Sequence, residues 1–412
     1  MPTQTKEDAI THSALRPEIL EGLSKDTAAA RGLPNEAFTT QEFLDLEQRH
    51  AFARSWVFAG RVSAIPNRGD VEPVEVAGRS LFVARGSDDR VRVFHNVCPH
   101  RGARLVVESA RGAPALTCPY HAWSFTLDGE LKGRPHYHGP EQHDRDGRDS
   151  GVCLFQVRSA IWHDWVFVNL DGKACDFEDY MAPVNGYYKG WDLSAFCYAY
   201  HDSFEFRCNW KLAVENFCDT YHVFKVHPKL DEAYTSQQRD MARPEGVHMF
   251  MFNTLTGDSP GLTVGVDGPV PPEIPGLAAE CEREQRSCNV FPNVTVVVQP
   301  SNLQFVEFEP VGPDRCIMHL LHYFVGDAAH DPAENAARER VYADWLHINR
   351  EDEGICHRLQ EGRSCDAYDG GRLAPYWDVG TAYFHRHIAD AILGQGEFAP
   401  SEEDVSKEQA AS

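Results

Sequence analysis

Short runs of β-branched and aromatic residues fill the chain between about residues 58 and 170. Residues 80–84 and Val91–His95 are two such runs, and the polar stretch from Gly86 to Asp89 between them is typical of a β-hairpin turn. A further apolar run over residues 165–169 completes this part of the chain. The pattern predicts a small antiparallel β domain.

Longer elements are predicted in the second half of the chain. Residues 295–298, 304–308 and 316–325 are apolar runs separated by turns that contain Pro, Gly and Asn, which predicts an antiparallel meander. An amphipathic repeat over residues 331–362 predicts one long helix, so the fold class is α+β. The predicted organisation is a loosely ordered N-terminal arm over 1–38, a helix of the larger domain over 39–57, the β domain over 58–170, the larger domain over 171–400 with a loop over 256–276, and an acidic tail over 401–412.

The composition of the 412-residue chain narrows the classes of partner. A formal net charge of -23 disfavours binding to nucleic acid or to an anionic membrane surface. The twelve cysteines form no compact disulfide pattern, and the chain has neither a secretory signal pattern nor an apolar stretch of about twenty residues. We therefore predict a cytoplasmic protein that binds neither nucleic acid nor membrane.

Two cysteines and two histidines lie in two short, similar motifs. Cys98-Pro-His100 is followed, seventeen residues later, by Cys118-Pro-Tyr-His121. Two thiolates on one iron and two imidazoles on the other can hold a [2Fe–2S] cluster with a higher reduction potential than an all-cysteine cluster. A structural zinc site is the alternative, but zinc sites more often pair their first two cysteines closely in sequence. The spacing favours the iron–sulfur cluster.

A second candidate metal site lies between Asn209 and Pro228. Asp219 and His222 are three residues apart and would share one face of a helix. His222 and His227 are five residues apart, about 140° around an ideal helix, so they converge only if the helix is interrupted. Pro228 disfavours helical backbone at His227, which predicts such an interruption. Two histidines placed in this way can supply two of the three protein ligands of a mononuclear iron.

The phase of the long helix predicts the third ligand. Asp352 lies on the apolar stripe of that helix, whereas Glu351 and Glu353 lie about 100° to either side and are expected to face water. A carboxylate buried among apolar side chains is unfavourable unless it is paired or bound to a metal, so Asp352 is the candidate ligand and a buried ion pair is the alternative. Asp219 is predicted to hydrogen-bond the imidazole of His222, although an exposed helix position would also fit. The predicted stripe consists of Val341, Trp345, Ile348, Asp352, Ile355 and Leu359.

Together these motifs resemble the oxygenase (alpha) component of Rieske non-heme iron oxygenases. The resemblance rests on C-P-H-R-G-A-R-L, on C-P-Y-H-A-W-S-F, on N-W-K-L with the following E-N-F-x-D-x-Y-H-x4-H-P, and on residues 351–363, which match the carboxylate-bearing helix of that family. It extends from Trp56 to about Ile392. The resemblance implies a small all-β Rieske [2Fe–2S] domain and a helix-grip (START-like) catalytic domain with a large antiparallel sheet.

The resemblance also implies cofactors and partners. The cofactors would be the [2Fe–2S] cluster and a mononuclear Fe(II) held by His222, His227 and Asp352. The subunits would form a head-to-tail homotrimer, in which electrons pass from His121 of one subunit to Asp219 of the next. A ferredoxin and/or a flavin-dependent reductase would supply the electrons. NAD(P)H would act only indirectly, through that reductase, because no G-x-G-x-x-G motif lies between a strand and a helix of this chain.

Two other classes of protein carry a Rieske cluster. Membrane-bound respiratory Rieske proteins have an additional disulfide pair, where this chain has Ala103 and Tyr120, and they need a membrane anchor. A Rieske electron carrier without oxygenase activity would be much shorter and would lack His222, His227 and Asp352. Both classes therefore fit the sequence less well than the oxygenase.

The predicted reaction is mono- or dioxygenation of a small organic molecule by O2, with an aromatic compound as the first candidate substrate. Several aromatic side chains in the larger domain would suit a flat ring. They would equally suit a trimethylammonium group through cation–π contact, so a monooxygenase or N-demethylase of a quaternary amine or betaine is the alternative. The candidate lining residues are Phe217, Phe250, Phe252, Phe291 and Phe305.

Overall fold

The chain folds into two compact units. One unit is Phe52–Phe177, and the other combines the chain up to Ala51 with the chain from Glu178 onward. The β unit is thus inserted into the larger unit, with boundaries a few residues outside the predicted 58–170. The computed structural model describes residues 10–141, 151–233, 240, 243–254 and 269–398. The predicted acidic tail over 401–412 and most of the predicted loop over 256–276 lie outside these residues.

The inserted unit consists of antiparallel strands. Their bounds are β1 Trp56–Arg61, β2 Val71–Val76, β3 Arg79–Arg85, β4 Val91–His95, β5 Leu116–Thr117, β6 Ser124–Phe125, β7 Leu131–Gly133, β8 Gln156–Trp162 and β9 Trp165–Asn169. Six of them form one sheet in the order β1-β9-β8-β4-β3-β2, and the other three form a second sheet in the order β5-β6-β7.

The predicted hairpin is confirmed as the pair β3 and β4. Phe82 of β3 lies opposite Phe94 of β4, and the two rings stack with their centroids 5.4 Å apart. Both belong to the buried core of this unit, together with Cys98 and Cys118. The alternation that forms the hairpin therefore also places the two cysteine turns against the core.

The larger unit contains a seven-stranded antiparallel sheet and most of the helices. Its strands are β10 Phe196–Phe206, β11 Arg243–Glu245, β12 His248–Thr254, β13 Glu284–Val290, β14 Val294–Gln299, β15 Asn302–Gly312 and β16 Arg315–Val325. The helices of the whole chain are α1 Pro17–Leu23, α2 Glu36–Thr39, α3 Gln41–Leu46, α4 Phe52–Arg54, α5 Phe177–Tyr187, α6 Trp210–Phe217, α7 Val223–Val226, α8 Pro228–Ala233, α9 Asn335–Gly362 and α10 Val379–Leu393. The strand order is β10-β16-β15-β14-β13-β12-β11, so the predicted meander and the predicted long helix are both confirmed.

The seven-stranded sheet has two differently covered faces. On one face the ring of Phe250 in β12 lies 4.8 Å from that of Tyr187 in α5, and we call this the α5 face. Cross-strand pairing continues from Phe250 to Leu321 in β16, so the next residue, His322, points to the opposite side. There the ring of His322 lies 5.8 Å from that of Tyr342 in α9, and we call this the α9 face.

Residues 10–38 do not form the predicted loose arm. Leu33 and Phe38 are fully buried, and burial of apolar side chains favours an ordered segment. The backbone N–H of Leu33 donates to Nδ1 of His385 at 3.0 Å, and Arg31 pairs with Asp369 at 2.5 Å. The segment is therefore part of the larger unit.

The predicted helix over 39–57 is interrupted. Helix α3 starts after Thr40, whose hydroxyl accepts a hydrogen bond from the N–H of Phe43 at 3.4 Å. A π-helical turn over Glu47–Ala51 separates α3 from α4, and the chain is already extended at Trp56. The turn brings the carboxylate of Glu47 into the interior of the larger unit, where it is fully buried.

Candidate metal centres

The two predicted cysteine ligands lie in two turns of the same construction. The N–H of Cys98 donates to the carbonyl of Ala103 at 2.7 Å, and the N–H of Cys118 donates to the carbonyl of Trp123 at 2.8 Å. Both bonds join a cysteine to the residue five positions later. The similarity of the two sequence motifs is therefore a similarity of backbone structure.

Each turn also contains a residue in the left-handed region, four positions after its cysteine. These residues are Gly102, with φ +76°, and Ala122, with φ +54°. Glycine adopts this conformation freely, whereas alanine does so with some strain. Such strain persists where the surrounding structure requires it, as in a turn that presents a ligand such as His121.

The two predicted histidine ligands come together. The ring centroids of His100 and His121 are 4.7 Å apart, and His100 stacks on Trp123 at 4.4 Å. Nδ1 of His121 is buried and has no hydrogen-bond partner among the described residues. A buried, unpartnered imidazole nitrogen is unfavourable, and coordination to a metal would satisfy it.

The cysteines fit the same cluster. Cys98 and Cys118 are both buried, and neither forms a disulfide. Burial raises the pKa of the Cys98 thiol, and the neighbouring Cys118 side chain raises it further, so this thiol would not ionise without a nearby cation. Coordinated iron supplies that positive charge. The four side chains therefore fit a [2Fe–2S] cluster.

The helical interruption predicted near the second site is present. Helix α6 ends at Phe217, and a new one-turn helix, α7, starts after His222 and ends at Val226. His227 then leaves the helix with φ -119° and ψ 72°, directly before Pro228. The break turns the two imidazoles toward each other.

His222, His227 and Asp352 meet at one point. Nε2 of His222 lies 3.2 Å from Nε2 of His227, and Oδ1 of Asp352 lies 3.5 Å and 2.9 Å from these two nitrogens. Ligand atoms about 2.1 Å from a metal and at right angles to one another are about 3.0 Å apart. The triangle of atoms therefore has the size of one face of a metal coordination shell.

A carboxylate holds the other nitrogen of each imidazole. Nδ1 of His222 lies 3.1 Å from Asp219 Oδ2, as predicted, and Nδ1 of His227 lies 2.8 Å from Glu351 Oε2. The prediction that Glu351 faces water is therefore wrong. His227 follows the end of α7 and lies beside α9. Glu351 projects from the side of α9 next to its buried stripe and there contacts His227.

The electrostatics of the site fit a cation at its centre. Burial would lower the pKa of His222, but its contacts with Asp219 and Asp352 outweigh burial and raise the pKa to about 9. Burial would raise the pKa of Asp352, but its contacts with the two histidines outweigh burial and lower the pKa. Asp352 is only 3% exposed, so its negative charge is retained in the interior by positive charge nearby. A divalent metal ion would supply such charge.

Both units match known protein families. Residues 55–143 match the Rieske [2Fe-2S] domain, and residues 193–394 match the ring hydroxylating alpha subunit (catalytic domain). The carnitine monooxygenase oxygenase subunit of Acinetobacter baumannii is 30% identical over 374 residues, which are 86% of this chain and 93% of that protein. The chain belongs to the Rieske oxygenase family, as an oxygenase component. The cluster and the mononuclear iron predicted for it are the cofactors of these two domains.

Other relatives of this Rieske oxygenase match it over shorter stretches or only in fold. The glycine betaine monooxygenase oxygenase subunit of Pseudomonas aeruginosa is 31% identical over 48% of this chain, and the match spans about half, 45%, of that protein. A quaternary ammonium Rieske monooxygenase, studied for carnitine oxidation and inter-subunit electron transfer, has a TM-score of 0.70 at 22% identity, over 88% of this chain and 95% of its own. The predicted fold class is confirmed, and the catalytic domain rules out a simple electron carrier.

The stripe of this oxygenase's long helix differs from the predicted one. Ile348 and Ile355 are only partly buried, and Leu359 is exposed. Asn349 and Cys356 take their places beside Asp352 in the buried stripe. Asp352 is buried on the stripe as expected, but its environment is more polar than predicted.

Most of the predicted aromatic lining lies away from the candidate iron site. Phe250 and Phe305 lie on the α5 face of the sheet, away from α9. Phe291 packs against Phe384 of α10, at 6.1 Å. Phe217 is in ring contact at 5.1 Å with Phe308 of the sheet. Alternation along buried strands does not reveal which face meets the helix, because both faces of the sheet are buried.

Helix α6, which leads to the histidines, is held by a buried ion pair and by a hydrogen bond from a buried histidine. Lys211 Nζ lies 2.7 Å from Glu47 Oε1, with both side chains fully buried. Glu215 pairs with His385 at 2.6 Å, and His385 also accepts the N–H of Leu33. His385 thus links α6 and α10 to the N-terminal segment. In the described part of the oxygenase, no helix is long and apolar enough to cross a membrane.

Proposed function

We propose that this Rieske oxygenase holds its mononuclear iron with His222, His227 and Asp352 and oxidises a small organic substrate beside it. The observation that supports the proposal is that one ligand atom from each of these three residues lies within 4.8 Å of the others. Three protein ligands on one side of a metal leave positions open for O2 and for substrate access. When bound, the iron activates dioxygen and the [2Fe–2S] cluster supplies single electrons.

The residues around the triad prepare it for this role. Asp219 and Glu351 take up the Nδ1 side of the two imidazoles and so leave Nε2 free to bind metal. The burial of Asp352 and His227 limits the access of water to the ligand atoms. Limited access of water lowers the loss of electrons to unproductive reduction of oxygen.

We further propose that Cys98, His100, Cys118 and His121 hold the cluster and receive electrons from a ferredoxin and/or a flavin-dependent reductase. His100 is exposed, so a donor can reach the histidine side of the cluster. NAD(P)H would then act only through that reductase. Twelve free cysteines among the described residues support a reducing, cytoplasmic location.

The position of Asp219 suits transfer of electrons between subunits. Its side chain is 22% exposed and yet lies 3.1 Å from Nδ1 of His222, so it links the surface to the triad. We propose a head-to-tail homotrimer in which the partner subunit's His121 lies near Asp219. The structural relative studied for inter-subunit electron transfer supports this arrangement.

Iron content tests the assignment of the triad. Asp352→Ala should retain the visible absorbance of the cluster, lose about one iron of three per chain, and form no product. Glu353→Ala, one residue away on the same helix, is the matched control and should retain all three irons. Full iron content or turnover in Asp352→Ala would contradict the proposal.

A quaternary amine is the second candidate substrate, beside the aromatic compound. It is favoured by the carnitine monooxygenase relative, which matches 86% of this chain. Substrate-dependent oxygen uptake distinguishes the two candidates when aromatic acids are screened against N-methylated amines with a generic reductase. Hydrogen peroxide release serves as the control for uncoupled oxygen reduction.

A further inference from the structure

The α9 face of the sheet is buried but rich in uncharged polar side chains. Asn289 of β13 lies opposite Thr295 of β14, and Gln304 of β15 lies opposite His322 of β16. Asn253 of β12 lies on the same face. All five side chains are at most 3% exposed. Buried sheet faces are normally apolar, so this composition requires a physical reason.

These five side chains carry polar atoms without partners. The atoms with no hydrogen-bond partner among the described residues are Asn253 Oδ1, Asn289 Oδ1, Thr295 Oγ1, Gln304 Oε1 and both ring nitrogens of His322. A folded protein leaves few buried polar groups unpaired, because each one loses its hydrogen bonds to water without replacement. A group of them on one sheet face indicates that something else supplies the missing hydrogen bonds.

A neighbouring chain of amides shows that this face can satisfy its own polar groups. Gln299 Nε2 donates to Gln285 Oε1 at 2.8 Å, and Asn302 Nδ2 donates to Gln299 Oε1 at 3.0 Å. Gln304 Nε2 then donates to Asn302 Oδ1 at 2.7 Å. The chain fixes the amide of Gln304, so that Oε1 is presented as an oriented acceptor.

Helix α9 carries matching groups beside the candidate iron site. Trp345 Nε1 and both polar atoms of the Asn349 side chain are buried without a partner among the described residues. Both residues belong to the buried stripe of α9 that contains Asp352. Asn349 is three residues before Asp352, so its amide lies within one helical turn of the candidate iron ligand.

The helix runs along the same strands as the polar face. Tyr342 of α9 contacts His322, whereas Cys356 of α9 and Cys316 of β16 both interact with Cys208. Fourteen helical residues from Tyr342 to Cys356 span about 21 Å, and six strand residues from His322 to Cys316 span about 20 Å. The part of α9 that carries Trp345 and Asn349 therefore runs along β16, on the face of the sheet that carries the unpartnered groups.

The polar face carries no positive charge, and Asp202 of β10, on the same face, lies 4.0 Å from Nε2 of His322. Among the described residues of β12 to β16, those whose side chains lie on this face include no Lys, Arg, Asp or Glu. His322 is neutral, because burial lowers its pKa to about 3, with a further contribution from His201. A carboxylate would find no cation here, and a trimethylammonium group has no N–H to offer the acceptors.

We propose that the substrate is a neutral molecule with N–H or O–H donors, bound between α9 and the sheet by Asn289, Thr295, Gln304, His322 and Asn349. The inference rests on the proposed function, because it takes the space beside the iron triad as the place of reaction. The two candidate substrate classes were an aromatic compound and a quaternary amine. The inference replaces them with one class, which is recognised by hydrogen bonds rather than by aromatic or cation–π contact.

Four benzene derivatives that differ in one substituent are suitable probes. Benzamide is neutral and has N–H donors, benzoate is an anion, toluene is apolar, and benzyltrimethylammonium is a cation. Binding to the anaerobic holoenzyme is measured by calorimetry, together with the shift of the melting temperature. Benzamide should bind about tenfold more tightly than each of the other three, since it alone pairs the open acceptors without burying a charge.

Two isosteric variants at neighbouring positions separate the α9 face from the α5 face. Thr295→Val removes a hydroxyl group from the α9 face, and Val296→Thr adds one to the α5 face. Thr295→Val should weaken benzamide binding about fivefold, while Val296→Thr should leave it unchanged. Gln304→Leu, which removes the oriented acceptor, provides an independent second variant with the same expected loss.

Three results would overturn the inference. The first is that another probe binds as tightly as benzamide. The second is that no probe binds, as expected for a space filled only by water. The third is that both Thr295→Val and Gln304→Leu leave the affinity for benzamide unchanged. Iron content of the same samples separates this failure from failure of the proposed function. About three irons per chain without a preference for benzamide reject the inference alone, whereas about two irons reject the iron triad itself.

Discussion

Each imidazole of the candidate iron site is held at both of its nitrogens. On His222 and His227, Nε2 lies at the centre with Asp352, while Nδ1 lies against a second carboxylate, Asp219 or Glu351. A proton on Nδ1 can be donated to that carboxylate, which leaves the lone pair of Nε2 for a metal. The orientation of each ring is thus determined by the protein before metal binds, and the metal takes the place of a proton on Nε2.

Loss of the carboxylate behind His227 should weaken metal binding. Glu351→Gln should lower the affinity for iron by about 10- to 100-fold, because the imidazole loses its charged partner and part of its orientation. Competition with a chelator for Fe(II) measures the change. Glu353→Gln is the matched control, since Glu353 pairs with Arg350 on the surface. Equal affinities of the two variants would show that Glu351 does not position His227.

A buried histidine of the larger unit should make stability depend on pH. Burial lowers the pKa of His248 to about 4, from an ordinary value of 6.5. Its Nε2 lies 2.7 Å from the carbonyl of Tyr180, and its Nδ1 accepts the N–H of Phe291, so the neutral ring is fully used. Between about pH 6.5 and pH 4 this histidine is protonated in the unfolded chain but neutral in the folded chain. The free energy of unfolding therefore falls by about 1.4 kcal/mol for each unit by which the pH is lowered in this range.

Melting temperatures measured between pH 7.5 and pH 4 test this dependence. His248→Gln should show a shallower decline than the unmodified chain, because one of the groups that takes up a proton on unfolding is gone. Other buried histidines, such as His387, contribute to the decline in both proteins. Parallel curves for the two proteins would refute the assignment to His248.

At the scale of single elements, α6 is the part that places the histidine segment. Burial raises the pKa of Glu47 and lowers that of Lys211, while the attraction between the two groups opposes both changes. The indole of Trp210 donates to Glu47 as well, at 2.9 Å. The start of α6 is thus tied to the π-helical turn of the N-terminal segment.

Breaking this buried pair should be costly. Lys211→Met leaves the carboxylate of Glu47 buried without its cation, and the expected loss is about 3–5 kcal/mol in the free energy of unfolding. Replacement of both residues, with Glu47→Leu and Lys211→Met, should restore much of that loss because no charge remains buried. Urea denaturation measures both changes, and a double variant less stable than Lys211→Met would contradict this explanation.

The sequence predicted those elements whose causes are local. Alternation and turn residues located β3 and β4, and helical phase selected Asp352. The position of Glu351 beside His227 depends on where a distant loop returns, which no local pattern contains. The polar residues of the α9 face, such as Asn289 and Gln304, do alternate with apolar ones along their strands. This signal was available, but it does not say which face meets the long helix.

At the scale of the whole molecule, the proposed trimer should allow two defective subunits to restore activity together. Asp352→Ala removes the iron site but keeps the cluster, and Cys98→Ser removes the cluster but keeps the iron site. If electrons cross between subunits, random 1:1 assembly places a working cluster next to a working iron site at about a quarter of the interfaces of a trimer. The unsorted mixture should therefore recover about a quarter of the activity, and the isolated mixed trimers about a third, since each has one working interface of three.

Co-expression with two different affinity tags, followed by purification through both, isolates the mixed assemblies. Product formation by each variant alone provides the background. Mixed trimers with no activity above this background would show that electrons stay within one subunit.

The insertion of the β unit between two parts of the larger unit has a consequence for biosynthesis. Residues Phe52–Phe177 are complete when they leave the ribosome, so this unit can fold while the rest is still being translated. The N-terminal segment, by contrast, must wait for Lys211 and His385. His385 follows Leu33 by 352 residues, so at about 5–20 residues per second the wait is about 18–70 s. Iron–sulfur loading can then precede formation of the iron triad within the same nascent polypeptide.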